Sequence, residues 1–211
     1  MIGFYDYTVL LTYLGFASGV VGILYAIKGP EQLLPAIIFL MFSGLCDMFD
    51  GKVARTKKRR TTEEKHFGIQ LDSLSDLVCF GVLPATIGYR LGMDNCYLLP
   101  IVVFYPLAAL IRLAYFNVLE IIRNSNTPVK EYIGLPVTSS ALIFPLLFAF
   151  RKVIGNSFVY VYAFALLLVG VLFISKIKVK KPRTKTMILF IILGVIEILL
   201  ILSLKRFVWN I

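Results

Sequence analysis

The sequence predicts an all-α, polytopic integral membrane protein, and three observations carry that prediction. The chain has 211 residues, of which 59% are hydrophobic and 16% charged. Its mean hydropathy is +0.85. A soluble domain of this size has too little interior to hide so much apolar surface, so lipid must solvate most of it. Apolar runs near the roughly 20 residues that a spanning helix needs recur along the chain. Cations gather in alternate connecting segments, as the positive-inside rule requires of a multi-pass protein.

The apolar runs fall at about 8–28, 33–51, 69–92, 97–120, 133–151, 157–175 and 187–204. The first has no basic leader and no small-residue cleavage site, so it is read as a span and not as a signal peptide. Breakers mark the joints at Gly29-Pro30, Gly92 to Asn95, Asn124 to Pro128, Gly155-Asn156 and Pro182. A basic polar turn, Lys57 to Lys65, separates the second and third runs. The fifth holds Pro136 and Pro145, and the seventh carries Glu197 near its middle. Seven spans put the N-terminus in the cytoplasm and the C-terminus outside. The basic segments around Lys52–Lys65, Arg123–Lys130 and Lys176–Lys185 then all face the cytoplasm. No repeat and no long linker divides the chain, so residues 1–211 are expected to form one helical transmembrane domain. Short connections make the second and third runs antiparallel neighbours. Their small residues, Ser43, Gly44, Ser73, Ser75 and Gly81, permit close approach.

The formal net charge of +10 would suggest a nucleic-acid partner in a soluble protein. Here the cations sit in membrane-flanking loops with no aromatic platform between them, so anionic headgroups are the expected partner and nucleic acid is not. The three cysteines, Cys46, Cys79 and Cys96, are odd in number and lack paired spacing, which argues against a disulfide framework or a zinc site. His66, the only histidine, lies in the basic turn and is read as solvent-facing.

Chemistry concentrates at the facing ends of the second and third runs. Asp47 and Asp50 are three apart, and Asp72 and Asp76 four apart, so each pair shares one helix face. A single carboxylate there would read as an interfacial residue. Four on adjacent helices repel one another unless cations offset them, and hard divalent ions take oxygen ligands. Two such ions about 4 Å apart can clamp a diphosphate. Gly51 and Gly68 remove side chains where a nucleotide could approach backbone, Ala54 keeps the same face open, and Arg55 can pair with phosphate. The residues therefore predict a metal-dependent site for a phosphate-bearing substrate at the cytoplasmic surface.

The pattern Asp47-x2-Asp50-Gly51-x2-Ala54-Arg55, followed by Gly68-x3-Asp72-x3-Asp76, resembles the signature of the CDP-alcohol phosphotransferases. In that family about eight or nine residues separate the arginine from the second glycine. Here Thr56 to Phe67 intervene, which puts loop contacts to the nucleotide in question but not the acids. The resemblance implies a six-helix core plus an extra C-terminal helix at about 186–206. It also implies two divalent ions, Mg²⁺ or Mn²⁺, held by Asp47, Asp50, Asp72 and Asp76, with Asp76 as general base. Gly51, Ala54, Arg55 and Gly68 would line the CDP site. A homodimer is expected by the same analogy.

Downstream segments resemble the serine-specific branch of that family over about residues 10–182. They are Asp72 to Pro84, Arg112-Leu-Ala-Tyr-Phe-Asn117, Tyr132 to Ser139, and Ile174 to Lys178. The implied reaction transfers a phosphatidyl group from CDP-diacylglycerol to L-serine, releasing CMP and forming phosphatidylserine. Arg112 and Asn117 are assigned to the serine pocket, because a guanidinium can hold the serine carboxylate and an amide offers both donor and acceptor. Glycerol phosphate, inositol or inositol phosphate as acceptor would preserve the chemistry, and so would an ether-linked CDP-lipid. A divalent-cation transporter fits poorly, since its acids should recur at the midplane of an inverted repeat.

Overall fold

The structure is a computed structural model and describes residues 3–122, 131–180, 192–197, 199 and 203. Helix α1 (Leu10–Lys28) leads through a 3-10 turn (Pro30–Gln32) into α2 (Leu33–Ala54). Helix α3 (Thr62–Asp76) continues through a π-helical stretch (Leu77–Val82) into α4 (Leu83–Arg90). Helix α5 (Leu99–Ile122) follows, then strand β1 (Glu131–Ile133), a 3-10 turn (Val137–Ser139) and α6 (Ser140–Ala149). The short α7 (Arg151–Ile154), α8 (Phe158–Ile174) and strand β2 (Lys178–Lys180) come next. Five helical segments are long and apolar enough to cross a membrane: Leu10–Lys28, Pro30–Ala54, Thr62–Arg90, Leu99–Glu120 and Arg151–Ile174. The protein is therefore a multi-pass membrane protein of the all-α class, with one short two-stranded ribbon outside its helices.

Two of the expected elements differ. The expected span at 133–151 is a 13-residue apolar stretch, Val137–Ala149. Its first residues leave the helix because Gly134 takes φ +79 and Ile133 is paired to Lys178 in the antiparallel β1–β2 ribbon. Pro136, lacking an N–H, enters the turn instead. The third helix starts at Thr62, not near 69, so the Lys57–Lys65 turn is helical over its last four residues. The cause is a capping box: the Thr61 hydroxyl accepts from the Glu64 N–H (3.2 Å), and the Glu64 carboxylate accepts from the Thr61 N–H (3.1 Å). Of the expected 187–204 span, residues 192–197, 199 and 203 are described and helical, and the remainder lies outside the described residues.

Close backbone approach positions α1 against α2 and the π stretch. The Ser18 hydroxyl donates to the Phe39 carbonyl (2.9 Å), and the Ser43 hydroxyl reaches the Gly15 carbonyl (2.9 Å). A Cβ on Gly19 would overlap the Cys79 side chain. The other half of the core is aromatic: Tyr105, Phe144, Tyr162 and Phe158 are buried, with the Tyr105 and Phe144 rings edge to face at 5.6 Å.

The π stretch directly after Asp76 has an identifiable support. Pro84 lacks the N–H that would bond the carbonyl four residues back, which belongs to Phe80. The buried Tyr105 hydroxyl donates to that carbonyl at 3.0 Å and shares a 2.7 Å bond with Ser140. Tyr162 likewise donates to the Pro84 carbonyl at 3.0 Å. Tyr105→Phe leaves two buried oxygens without this partner, so thermal unfolding should report a loss of about 1–3 kcal/mol. An unchanged unfolding midpoint would remove Tyr105 from this role.

Candidate active site

The last two turns of α2 and the length of α3 build the site, with α1 closing one side. Asp47, Asp50, Asp72 and Asp76 all line one small cleft, together with Thr12, Gly15, Ser43, Ser75, Cys79 and Phe80. The cleft holds about 10 Å³, room for a single water or ion. One carboxylate oxygen from each of Asp47, Asp50 and Asp72 lies within 4.8 Å of the others. Across the helix pair, Asp47 approaches Asp76 and Asp50 approaches Asp72 within hydrogen-bonding reach. The i,i+3 and i,i+4 spacings thus turn both pairs into one cleft, with Asp76 outside the three-oxygen group.

The donor set suits a hard cation. Every charged group lining the cleft is a carboxylate, and no Lys or Arg is among the described lining residues. Asp50 and Asp76 are only 8% and 9% exposed, so water offsets little of their mutual repulsion. An ion seated among these oxygens would supply the missing positive charge. Asp50 is further fixed by a 3.0 Å bond from the Thr12 hydroxyl of α1. Thr12 was not legible as a site residue: nothing within α1 marks it, and only packing against α2 brings it to Asp50.

Beside the cleft, Gly51 is exposed and a Cβ built on it meets nothing within 4 Å. A glycine inside a helix costs roughly 0.5–1 kcal/mol relative to alanine. Neighbouring protein atoms do not require it here. Ala54 ends α2, and Arg55 follows as an exposed residue. Gly68 lies one turn before Asp72 on α3, and the space above it is taken by the Arg60 guanidinium, whose Nη2 is 2.8 Å from where a Cβ would sit. Gly68 is thus inside a helix and covered by the extended connection.

Arg112 and Asn117 do not line the acid cleft. Arg112 is buried on α5, its guanidinium carbon 5.8 Å from the Phe116 ring centre. Asn117 ties α5 to α3: its amide oxygen accepts from Ser73 (2.7 Å) and its amide nitrogen donates to Gln70 (3.2 Å). Together these three residues edge a second cavity of about 330 Å³, whose walls are mainly Leu74, Leu77, Leu110 and Leu113.

Membrane-length helices that gather four carboxylates into an ion-sized cleft, beside a solvent-facing glycine, define a multi-pass membrane protein with a site suited to hard cations. The chain belongs to the CDP-alcohol phosphatidyltransferase family, whose sequence model matches residues 8–209. It is similar to the CDP-diacylglycerol–serine O-phosphatidyltransferase of Saccharomyces cerevisiae, 35% identical over 153 residues, covering 70% of this chain and 54% of the relative. The protein of the same name from Methanocaldococcus jannaschii is 36% identical over 156 residues, covering 74% and 69%. The archaetidylserine synthase of Methanothermobacter thermautotrophicus is 36% identical over 137 residues, covering 63% and 53%. The alignments thus span about half to two thirds of the length of these relatives. No solved structure matches the chain.

Proposed function

We propose that the protein transfers a phosphatidyl group from CDP-diacylglycerol to the hydroxyl of L-serine, releasing CMP and forming phosphatidylserine. The observation that carries the reading is the convergence of Asp47, Asp50, Asp72 and Asp76 on one cleft beside the open face of Gly51. The serine acceptor is supported by the names of three relatives.

In this mechanism the four aspartates would hold two divalent ions, Mg²⁺ or Mn²⁺, the second entering only as the carboxylates part, since the cleft has room for one. When bound, such ions neutralise charge on the diphosphate and stabilise the departing phosphate oxygen. The chain's own residues do the rest. Gly51 and Ala54 let the cytidine diphosphate lie against the end of α2, Gly68 lines the site on α3 beneath the Arg60 guanidinium, and Arg55 pairs with phosphate. Thr12 keeps the Asp50 carboxylate turned into the cleft. Asp76 takes the proton of the serine hydroxyl as that oxygen attacks the lipid-linked phosphorus. A serine O–P bond forms, the anhydride bond to CMP breaks, and CMP leaves with the bridging oxygen. Arg112 and Asn117 bind the serine headgroup, with Asn117 doing so only by exchanging its bonds to Ser73 and Gln70.

The site faces the cytoplasm in this reading, supported by the seven cations between Lys52 and Lys65 at that end of α2 and α3. Residues 1–211 act as one catalytic domain, and by family resemblance the protein works as a homodimer. The test is CMP release by purified protein with CDP-diacylglycerol or its ether-linked analogue, supplied with L-serine, glycerol 3-phosphate, inositol, inositol 1-phosphate or no acceptor. Release with serine alone supports the reading, and release with another alcohol replaces the acceptor. The ether analogue has its own arm because one relative is named an archaetidylserine synthase. Chelation with EDTA should lower release by about 100-fold or more, and excess Mn²⁺ or Mg²⁺ should restore it. Full activity in EDTA would overturn the metal assignment.

A further inference from the structure

The segment before α1 is bonded to the connection between α2 and α3. Asp6 receives the Lys57 ammonium at 2.7 Å on one carboxylate oxygen. Its other oxygen accepts from the Thr8 N–H at 2.8 Å and from the Thr8 hydroxyl. Lys57 also reaches Glu64 at 2.9 Å, and Glu64 closes the capping box that starts α3. Two further contacts run in parallel: the Tyr7 and Thr56 hydroxyls meet at 3.2 Å, and Phe4 stands edge-on to Phe67 at 5.5 Å. Thr56 is the neighbour of Arg55, and Phe67 the neighbour of Gly68. The strap therefore grips the start of the connection at Thr56 and the first turns of α3 at Glu64 and Phe67, between the two halves of the proposed nucleotide site.

Between Thr56 and α3 lies Arg60. Its Nη2 donates to the Glu64 carbonyl at 3.2 Å, and the same nitrogen lies directly over Gly68. Its Nε is buried and has no hydrogen-bond partner among the described residues. A guanidinium held over a glycine, with donor capacity left over, suits an anionic group. Ordering the connection from Arg55 to Thr61 costs entropy, which such a tether offsets. The Lys57 ammonium, with help from Thr8, holds the Asp6 carboxyl down to about 2, so the bridge stays ionised across neutral pH.

We propose that Asp6, Lys57 and Glu64 act as positioning residues that hold Arg60 over Gly68, where it binds the diphosphate of the CDP-lipid. This rests on the reading of the site as a CDP-lipid site. Arg60→Gln should raise KM for CDP-diacylglycerol about tenfold, with kcat within about threefold and KM for serine unchanged. Asp6→Asn should raise the same KM by a smaller factor, Lys57→Met should match it, and Lys57→Arg should keep near-normal values. If the strap acts through Arg60, the Asp6→Asn/Arg60→Gln double variant should be no worse than Arg60→Gln alone.

A second readout is independent of turnover. Lys58 and Arg59 are exposed, so trypsin should cut there, and CDP-diacylglycerol with Mn²⁺ should protect them, with a higher half-protecting concentration in Asp6→Asn and Arg60→Gln. Protection without CMP release would sink the acceptor reading while leaving the strap to be judged by that shift. An unchanged KM and half-protecting concentration in Arg60→Gln would overturn the inference. So would a rise in serine KM alone, or multiplicative losses in the double variant. Absence of protection in the wild type with every CDP-lipid would overturn it together with the reading of the site.

Discussion

Asp76→Asn is expected to lower CMP release by about 10³-fold while leaving the protein folded. The carboxamide has the size and shape of the carboxylate, so the packing around the junction of α3 and the π stretch is kept. It cannot take a proton from an attacking hydroxyl, and it also removes one negative charge from a cleft where four converge. Asp76 is 9% exposed and sits at the junction where the α-helix widens into the π stretch, a backbone feature frequent at functional sites. Turnover should be measured with saturating CDP-diacylglycerol and serine, alongside thermal unfolding and Mn²⁺ binding. Loss of turnover with Mn²⁺ binding intact marks proton transfer as its role. Loss of both marks a ligand. Turnover within tenfold of wild type would remove Asp76 from the mechanism.

The second large effect concerns Gly51, where stability and activity should move in opposite directions. Space above Gly51 is open, so Gly51→Ala should raise stability by about 0.5–1 kcal/mol through helix propensity alone. A nucleotide seated against that backbone would meet the new methyl group, and Gly51→Leu should raise KM for CDP-diacylglycerol by about 30-fold or more. Gly44, two turns earlier on the same helix, is the control. A Cβ there would overlap that of Ala141, so Gly44→Ala should lose about 1–3 kcal/mol by overpacking. If Gly51→Leu keeps a normal KM, the nucleotide does not lie where proposed.

Much of this was legible in the sequence. Apolar runs near twenty residues required a membrane, because their length matches the hydrocarbon core whatever they pack against. The helix repeat likewise placed Asp47 beside Asp50 and Asp72 beside Asp76 on single faces, and the short connection made the two helices neighbours. The start of α3 was also legible in principle. Thr61 and Glu64 carry the capping-box spacing, but the density of charge around them reads first as a turn.

Other features depend on residues distant in sequence. Thr12 meets Asp50 across 38 positions, and Lys57 meets Asp6 across 51. Asn117, expected in the acceptor pocket, has its amide engaged by Ser73 and Gln70 on α3 at the edge of a separate cavity. The π stretch needed Tyr105 to meet the carbonyl that Pro84 leaves unpaired. The sequence by itself determined the solvent, the helices and the four acids, because burial in lipid and helix periodicity act within one segment. Only the tertiary structure decided which hydroxyl meets Asp50, which carboxylates meet Lys57 and which side chains engage the Asn117 amide. Such partners are chosen by the packing of separate helices, which no local pattern encodes.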